Sequence, residues 1–138
     1  MAKHKTAKLA KKSAWQSFSR YIRARDCLRF TGDIDEGKCV SCDRHYPFKK
    51  LQAGHFIGGR TSSVLFAEDI VYSQCYGCNI GKSGNYLDFY YFMERELGSK
   101  EAVDNLVTHY KQKEVKYKQH DYEELEDLYD NKYRDLTT

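Results

Sequence analysis

Residues 52–85 read QAGHFIGGRTSSVLFAEDIVYSQCYGCNIGKSGN. A histidine, His55, sits in a short apolar run from Leu51 to Ile57. The stretch closes on a Cys-x-x-Cys pair, Cys75 and Cys78, followed at once by Asn79. A second pair with the same spacing, Cys39 and Cys42, lies upstream. A Cys-x-x-Cys turn offers two sulfurs from one tight knuckle, and tetrahedral zinc is satisfied by two such knuckles. The 32 residues between Cys42 and Cys75 are enough for two strands and a connecting loop. The four cysteines therefore read as one structural zinc site that clamps a small hairpin to a helix. A redox role is the weaker reading, because neither pair sits in a βαβ pattern.

Around the clamp, Lys50 to Ile57 reads as a first strand, and Gly58-Gly59-Arg60 opens a loop. A second strand is expected from Asp69 to Gln74, with Ile70 and Tyr72 on one face and Val71 and Ser73 on the other. The turn at Cys75–Cys78 leads into a helix interrupted near Gly84. A longer helix follows from about Asn85 to Leu97, with Gly98 as its C′ residue. This arrangement places His55 and Asn79 face to face across the hairpin. Phosphodiester hydrolysis needs a water deprotonated in line with the scissile bond and charge stabilised at the phosphate. A neutral histidine serves as the base, and a hard divalent cation polarises the phosphate. Taken alone, His55 is more often structural and Asn79 more often a helix cap. Their register with the cysteines is what favours a metal-dependent nuclease.

The bulk composition agrees with a small, stapled domain. A chain of 138 residues fits one compact core, and its aromatic content is dominated by 12 Tyr against 7 Phe and 1 Trp. Such a thin core gains from a staple, and structural zinc contributes on the order of 10 kcal/mol to folding. No run approaches the ~20 apolar residues of a membrane span, and no signal-peptide pattern opens the chain. A cytosolic protein with reduced thiols is the expectation. The net charge of +3 hides an asymmetry: residues 1–30 hold nine Lys or Arg against one acid, whereas residues 114–138 hold eight acids and four Lys or Arg. One end suits phosphates and the other repels them.

The remaining elements are read as support. Residues 1–12 have no apolar period and are expected to form a flexible basic arm. Ser13 is the expected N-cap of a helix over Ala14–Asp26, with Trp15, Phe18 and Ile22 on a core face and Arg20 and Arg23 on a basic one. Cys27, outside both pairs, reads as a buried thiol. Residues 13–113 are taken as the domain proper, with Ser99 capping a further helix. Residues 114–138 form an acidic last helix, opened by Asp121 and Glu124 and striped by Tyr122, Leu125, Leu128, Tyr129 and Leu136. That helix is expected to pack on the domain or at a homodimer interface.

The segments AGHF, EDIVYSQC and CNIGKSGN, with WQSFSRYIRARD and CVSC upstream, resemble the NinG/Rap family of lambdoid bacteriophage recombination proteins. That family is similar to the wider HNH, or ββα-metal, nucleases built on a treble-clef zinc knuckle. The resemblance runs from Trp15 through Gly98 and weakens in the C-terminal helices. It implies an α+β fold with a zinc-stapled ββα-metal core and flanking helices. It also implies a structure-specific endonuclease for branched DNA such as D-loops and Holliday junctions, acting in the cytoplasm of an infected bacterium. Carried onto this chain, it makes His55 the general base and Asn79 a ligand of a catalytic Mg²⁺ or Mn²⁺. Cys39, Cys42, Cys75 and Cys78 become the ligands of a structural Zn²⁺. Two departures stand out. Gly54 occupies the position where many HNH enzymes carry an acid, and Ile70 and Tyr72 replace the family's Asn-x-His. Glu68, Asp69 and Asn85 are the other candidate metal oxygens, and Arg20, Arg23, Arg60 and Lys82 the candidate DNA contacts. The rival from another class is a zinc-ribbon DNA-binding protein that keeps the fold without the chemistry.

Overall fold

Helix α1, Ala7–Thr31, carries the molecule. The computed structural model describes residues 3–59 and 61–138. Thr6, not Ser13, caps α1, its side chain accepting from the Leu9 amide at 3.1 Å. The helix ends at Gly32, whose left-handed backbone (φ 77°) lets its amide reach the Leu28 carbonyl. Ala10, Ala14, Phe18 and Ile22 form one fully buried stripe. The alanines bury without raising hydropathy, which is why the first two turns are hard to distinguish from an arm in the sequence.

Two small antiparallel sheets follow, giving a mixed α+β architecture. Strands β1, Glu36–Lys38, and β2, His45–Pro47, form a short hairpin. It holds the first Cys-x-x-Cys knuckle at its tip, where the amides of Cys39 and Asp43 bond across the turn. These strands are three residues each, too short to show a period in the sequence. Strands β3, Leu51–His55, and β4, Val71–Cys75, pair in register from Leu51 opposite Cys75 to His55 opposite Val71. A short helix α2, Ser62–Leu65, spans part of their connection. Arg60, one of the candidate DNA contacts, lies outside the described residues.

The second knuckle opens a five-residue π-helical turn, Gly77–Gly81. Ser83, Gly84 and Asn85 then all take positive φ and swing the chain into α3, Tyr86–Leu97, which Gly98 terminates. Ser99 caps α4, Lys100–Gln112, through the Ala102 amide. Helix α5, Gln119–Thr137, starts earlier than the expected Asp121 cap. Asp121 instead reaches back from the helix's third position to the Lys118 amide at 2.7 Å.

α5 lies along α1. Tyr129 meets Phe18 edge-to-face at 4.8 Å, and Arg20 pairs with Asp130 at 3.2 Å. Lys3 and His4, within the expected flexible arm, reach Asp127 and Glu126 of α5. The acidic end thus neutralises part of the basic end inside one chain. On the opposite side, Arg25 and Asp26 zip α1 to the outer edge of β4. Asp26, fully buried, accepts from the Ser73 amide at 2.8 Å, and Arg25 donates to the Val71 carbonyl at 2.8 Å. The Val40 amide bonds the Ser73 carbonyl, so this strand edge is covered rather than exposed.

Candidate active site and metal centre

The two knuckles converge. The four sulfurs of Cys39, Cys42, Cys75 and Cys78 lie within 4.8 Å of one another, with Cys42 and Cys75 at 3.9 Å. A tetrahedron with Zn–S bonds of about 2.3 Å has edges of about 3.8 Å, so this donor set fits zinc. Outer contacts hold the sulfurs in place. The Cys78 amide donates to Cys75 Sγ at 3.4 Å, and Asn85 Nδ2 donates to Cys78 Sγ at 3.4 Å. Burial raises the Cys39 and Cys78 thiols above their ordinary range. Burial also raises Cys75, but the Cys78 amide and the Tyr46 hydroxyl outweigh it and hold that thiol down to about 7. Tyr46 was not singled out in the sequence, where a tyrosine four residues past Cys42 carries no particular signal. Cys27, beyond the cluster, is fully buried against Gly37, and burial raises its thiol to about 11, as expected of an inert packing cysteine.

Gln74 joins the halves of this centre. Fully buried, its Nε2 donates to Ser41 Oγ in the first knuckle and to the Gly84 carbonyl beyond the second, both at 2.8 Å. Its Oε1 has no hydrogen-bond partner among the described residues and faces Gly54. A Cβ on residue 54 would sit 1.9 Å from that oxygen. Position 54, where the resemblance to HNH nucleases calls for an acid, is therefore closed here by a side chain from the neighbouring strand.

His55 ends β3 and stacks on Trp15 of α1, ring centroids 5.2 Å apart. Its Nε2 lies 3.1 Å from the Leu65 carbonyl. A carbonyl only accepts, so Nε2–H is the donor in this contact. Leu65 orients the histidine through its backbone, a role the sequence had left without a residue because Ile70 and Tyr72 replace the expected polar pair.

The expectation that His55 and Asn79 face each other is corrected. Asn79 Nδ2 donates to Gln52 Oε1 at 2.7 Å. Gln52 and His55 are three apart on one strand, so the pleat sends them to opposite faces. Gln52 and Asn79 line a cleft of about 400 Å³ between α1 and β3 together with Trp15, Arg23 and Lys49, and His55 borders it through its stack on Trp15. Arg23 is held there by the Ser19 carbonyl and the Phe48 ring, and burial lowers its pKa from the ordinary arginine value.

The other candidate oxygens have structural partners. Glu68 accepts from Tyr129 at 3.0 Å and Lys132 at 2.7 Å, and Asp69 accepts from the Tyr110 hydroxyl. They bind the start of β4 to α5 and α4. Asn85 turns its amide to Cys78 and Asp88. Among the described residues, the four cysteines are the sole group of three or more His, Cys, Asp or Glu arranged to hold a metal. Arg20 is engaged by Asp130 and Tyr133. Lys82 is exposed beside the cysteine centre, in a second depression that also contains Arg44.

A family model described as the bacteriophage lambda NinG protein matches residues 1–138. The chain belongs to the NinG family. It thus has a phage, recombination-associated ancestry together with a four-cysteine cluster able to hold a metal such as zinc. No curated protein and no solved structure matches the chain significantly. No helix among the described residues is long and apolar enough to cross a membrane.

Proposed function

We propose that this NinG-family chain is a structure-specific, metal-dependent DNA endonuclease of HNH, treble-clef type, acting on branched recombination intermediates. The observation that carries the reading is the setting of His55. It is fixed by the Leu65 carbonyl, and it stacks on the tryptophan that walls a cleft holding Arg23 and Lys49. In this reading His55 takes the proton of the attacking water, and the two cations seat the phosphate. Zinc in the four thiolates holds the hairpin and turn together and takes no part in the chemistry.

A catalytic Mg²⁺ or Mn²⁺ supplies charge at the phosphate when bound. Asn79 has a side-chain oxygen to offer it, since Gln52 takes its nitrogen. Its remaining ligands would be water and the substrate's own phosphate, as hard Mg²⁺ often accepts. The commitments of Glu68, Asp69 and Asn85 favour the rival, a DNA-binding protein without cleavage. Labelled linear, forked and four-way DNA incubated with Mg²⁺, with Mn²⁺ and with neither decides between them. Cation-dependent cutting of the branched substrates is expected. Tight branched-DNA binding without cutting under any cation establishes the rival.

A further inference from the structure

The turn that carries Asn79 also carries two large apolar side chains in water. Tyr76 is 63% exposed and Ile80 53% exposed, in a chain whose other aromatic residues mostly pack into the core. The turn is closed by the Lys82 amide on the Gly77 carbonyl, an i→i+5 bond, so residues four apart emerge close together on one side. The same turn separates two depressions, and Ile80 stands on the wall of the second. One contains Arg44 and Lys82, the other Arg23 and Lys49, and they share no lining residue. An exposed apolar pair with cationic ground on both sides matches a particular feature of DNA: the point where two duplex arms diverge and a base pair loses a stacking neighbour. Phosphates suit the flanks, and an unstacked base offers a π-face to the pair.

We propose that Tyr76 and Ile80 form a wedge that enters the branch point, with one duplex arm seated on each cationic flank. The inference rests on the reading of DNA as the substrate and adds to it the device that recognises the branch. Shape rather than sequence is read this way, because insertion needs an unstacked step and phosphate contacts carry no base information. A linear duplex engages the cations and must be unstacked before it engages the wedge.

The test uses the full-length, zinc-loaded protein without Mg²⁺ or Mn²⁺, so that cleavage plays no part. A four-way junction carries 2-aminopurine beside its branch point, and a linear duplex carries it in the same sequence. Wild type should raise the fluorescence of the junction on binding and leave that of the duplex unchanged. Tyr76→Ser/Ile80→Ser should bind linear duplex within about twofold of wild type. It should lose the fluorescence rise and about tenfold in junction affinity. Tyr76→Phe, which keeps the ring, should behave as wild type. Both positions are exposed, so circular dichroism and zinc content should not change; the single variants Tyr76→Ala and Ile80→Ala serve if the double variant misfolds. Junction binding by wild type without a fluorescence rise overturns the wedge and leaves the nuclease reading standing. So does a folded double variant with undiminished junction preference, which would assign the exposed pair to a protein contact. Failure of wild type to bind any DNA at low salt overturns the substrate reading itself.

Discussion

At the scale of single residues, small groups decide what the site can be. Gly54 is required because the fully buried Gln74 side chain crosses it. Gly54→Ala should destabilise the protein by about 1–3 kcal/mol in urea unfolding, since the added methyl forces Gln74 off Ser41 and Gly84. An unchanged midpoint would show that the glutamine relaxes at no cost. Asn85 donates to Cys78 Sγ from a left-handed backbone, which asparagine tolerates well. Asn85→Ala should weaken zinc retention about 10–100-fold in chelator competition. The four-cysteine cluster was legible in the sequence because its chemistry is rare and its spacing is fixed. The Leu65 carbonyl was not, because every residue has one. Gln74 was hidden for a different reason: in a strand it reads as a solvent-facing polar residue until the neighbouring glycine is seen to make room for it.

At the scale of elements, the C-terminal helix is built into the core. Tyr129 is buried against Phe18, and its hydroxyl bonds Glu68 at the entrance of β4. Tyr129→Ala should cost about 3–5 kcal/mol by thermal or denaturant unfolding. A cost near zero would mean that α5 is dispensable to this domain. The stripe of this helix was readable from Tyr122, Leu125 and Tyr129, but its docking surface was not. That surface is α1, where Phe18 and Tyr21 meet Tyr129, Arg20 meets Asp130, and Ala10 and Ala14 are fully buried. Strands β3 and β4 and helix α3 were close to their expected limits, because the Gly58-Gly59 loop, the cysteine turn and Gly98 mark them locally. The pairing of Asn79 with Gln52 instead of a place opposite His55 depends on strand pleat and the π-helical turn, which spacing alone does not determine.

At the scale of the whole molecule, charge and metal tie the pieces together. Burial raises Glu68, but its bonds from Lys132 and Tyr129 outweigh this and leave it below the ordinary glutamate range. The Arg29 hydrogen bonds lower Glu96 likewise. A carboxylate lowered on folding adds stability above its unfolded pKa and loses it as pH falls through its folded one. Stability should therefore decline below about pH 4. Lys132→Met should flatten the part due to Glu68, as read by denaturant midpoints across pH. Thiolate ligands must also lose protons to bind zinc, so metal should leave as acid or chelator is added, with loss of cooperative unfolding. The most direct test of the central claim is single-turnover cleavage of a four-way junction by wild type and His55→Ala, both zinc-loaded and matched in junction affinity. A rate lowered about 10²–10⁴-fold in the variant is the predicted result. Equal rates from the two folded proteins would contradict it and assign the proton transfer to another group.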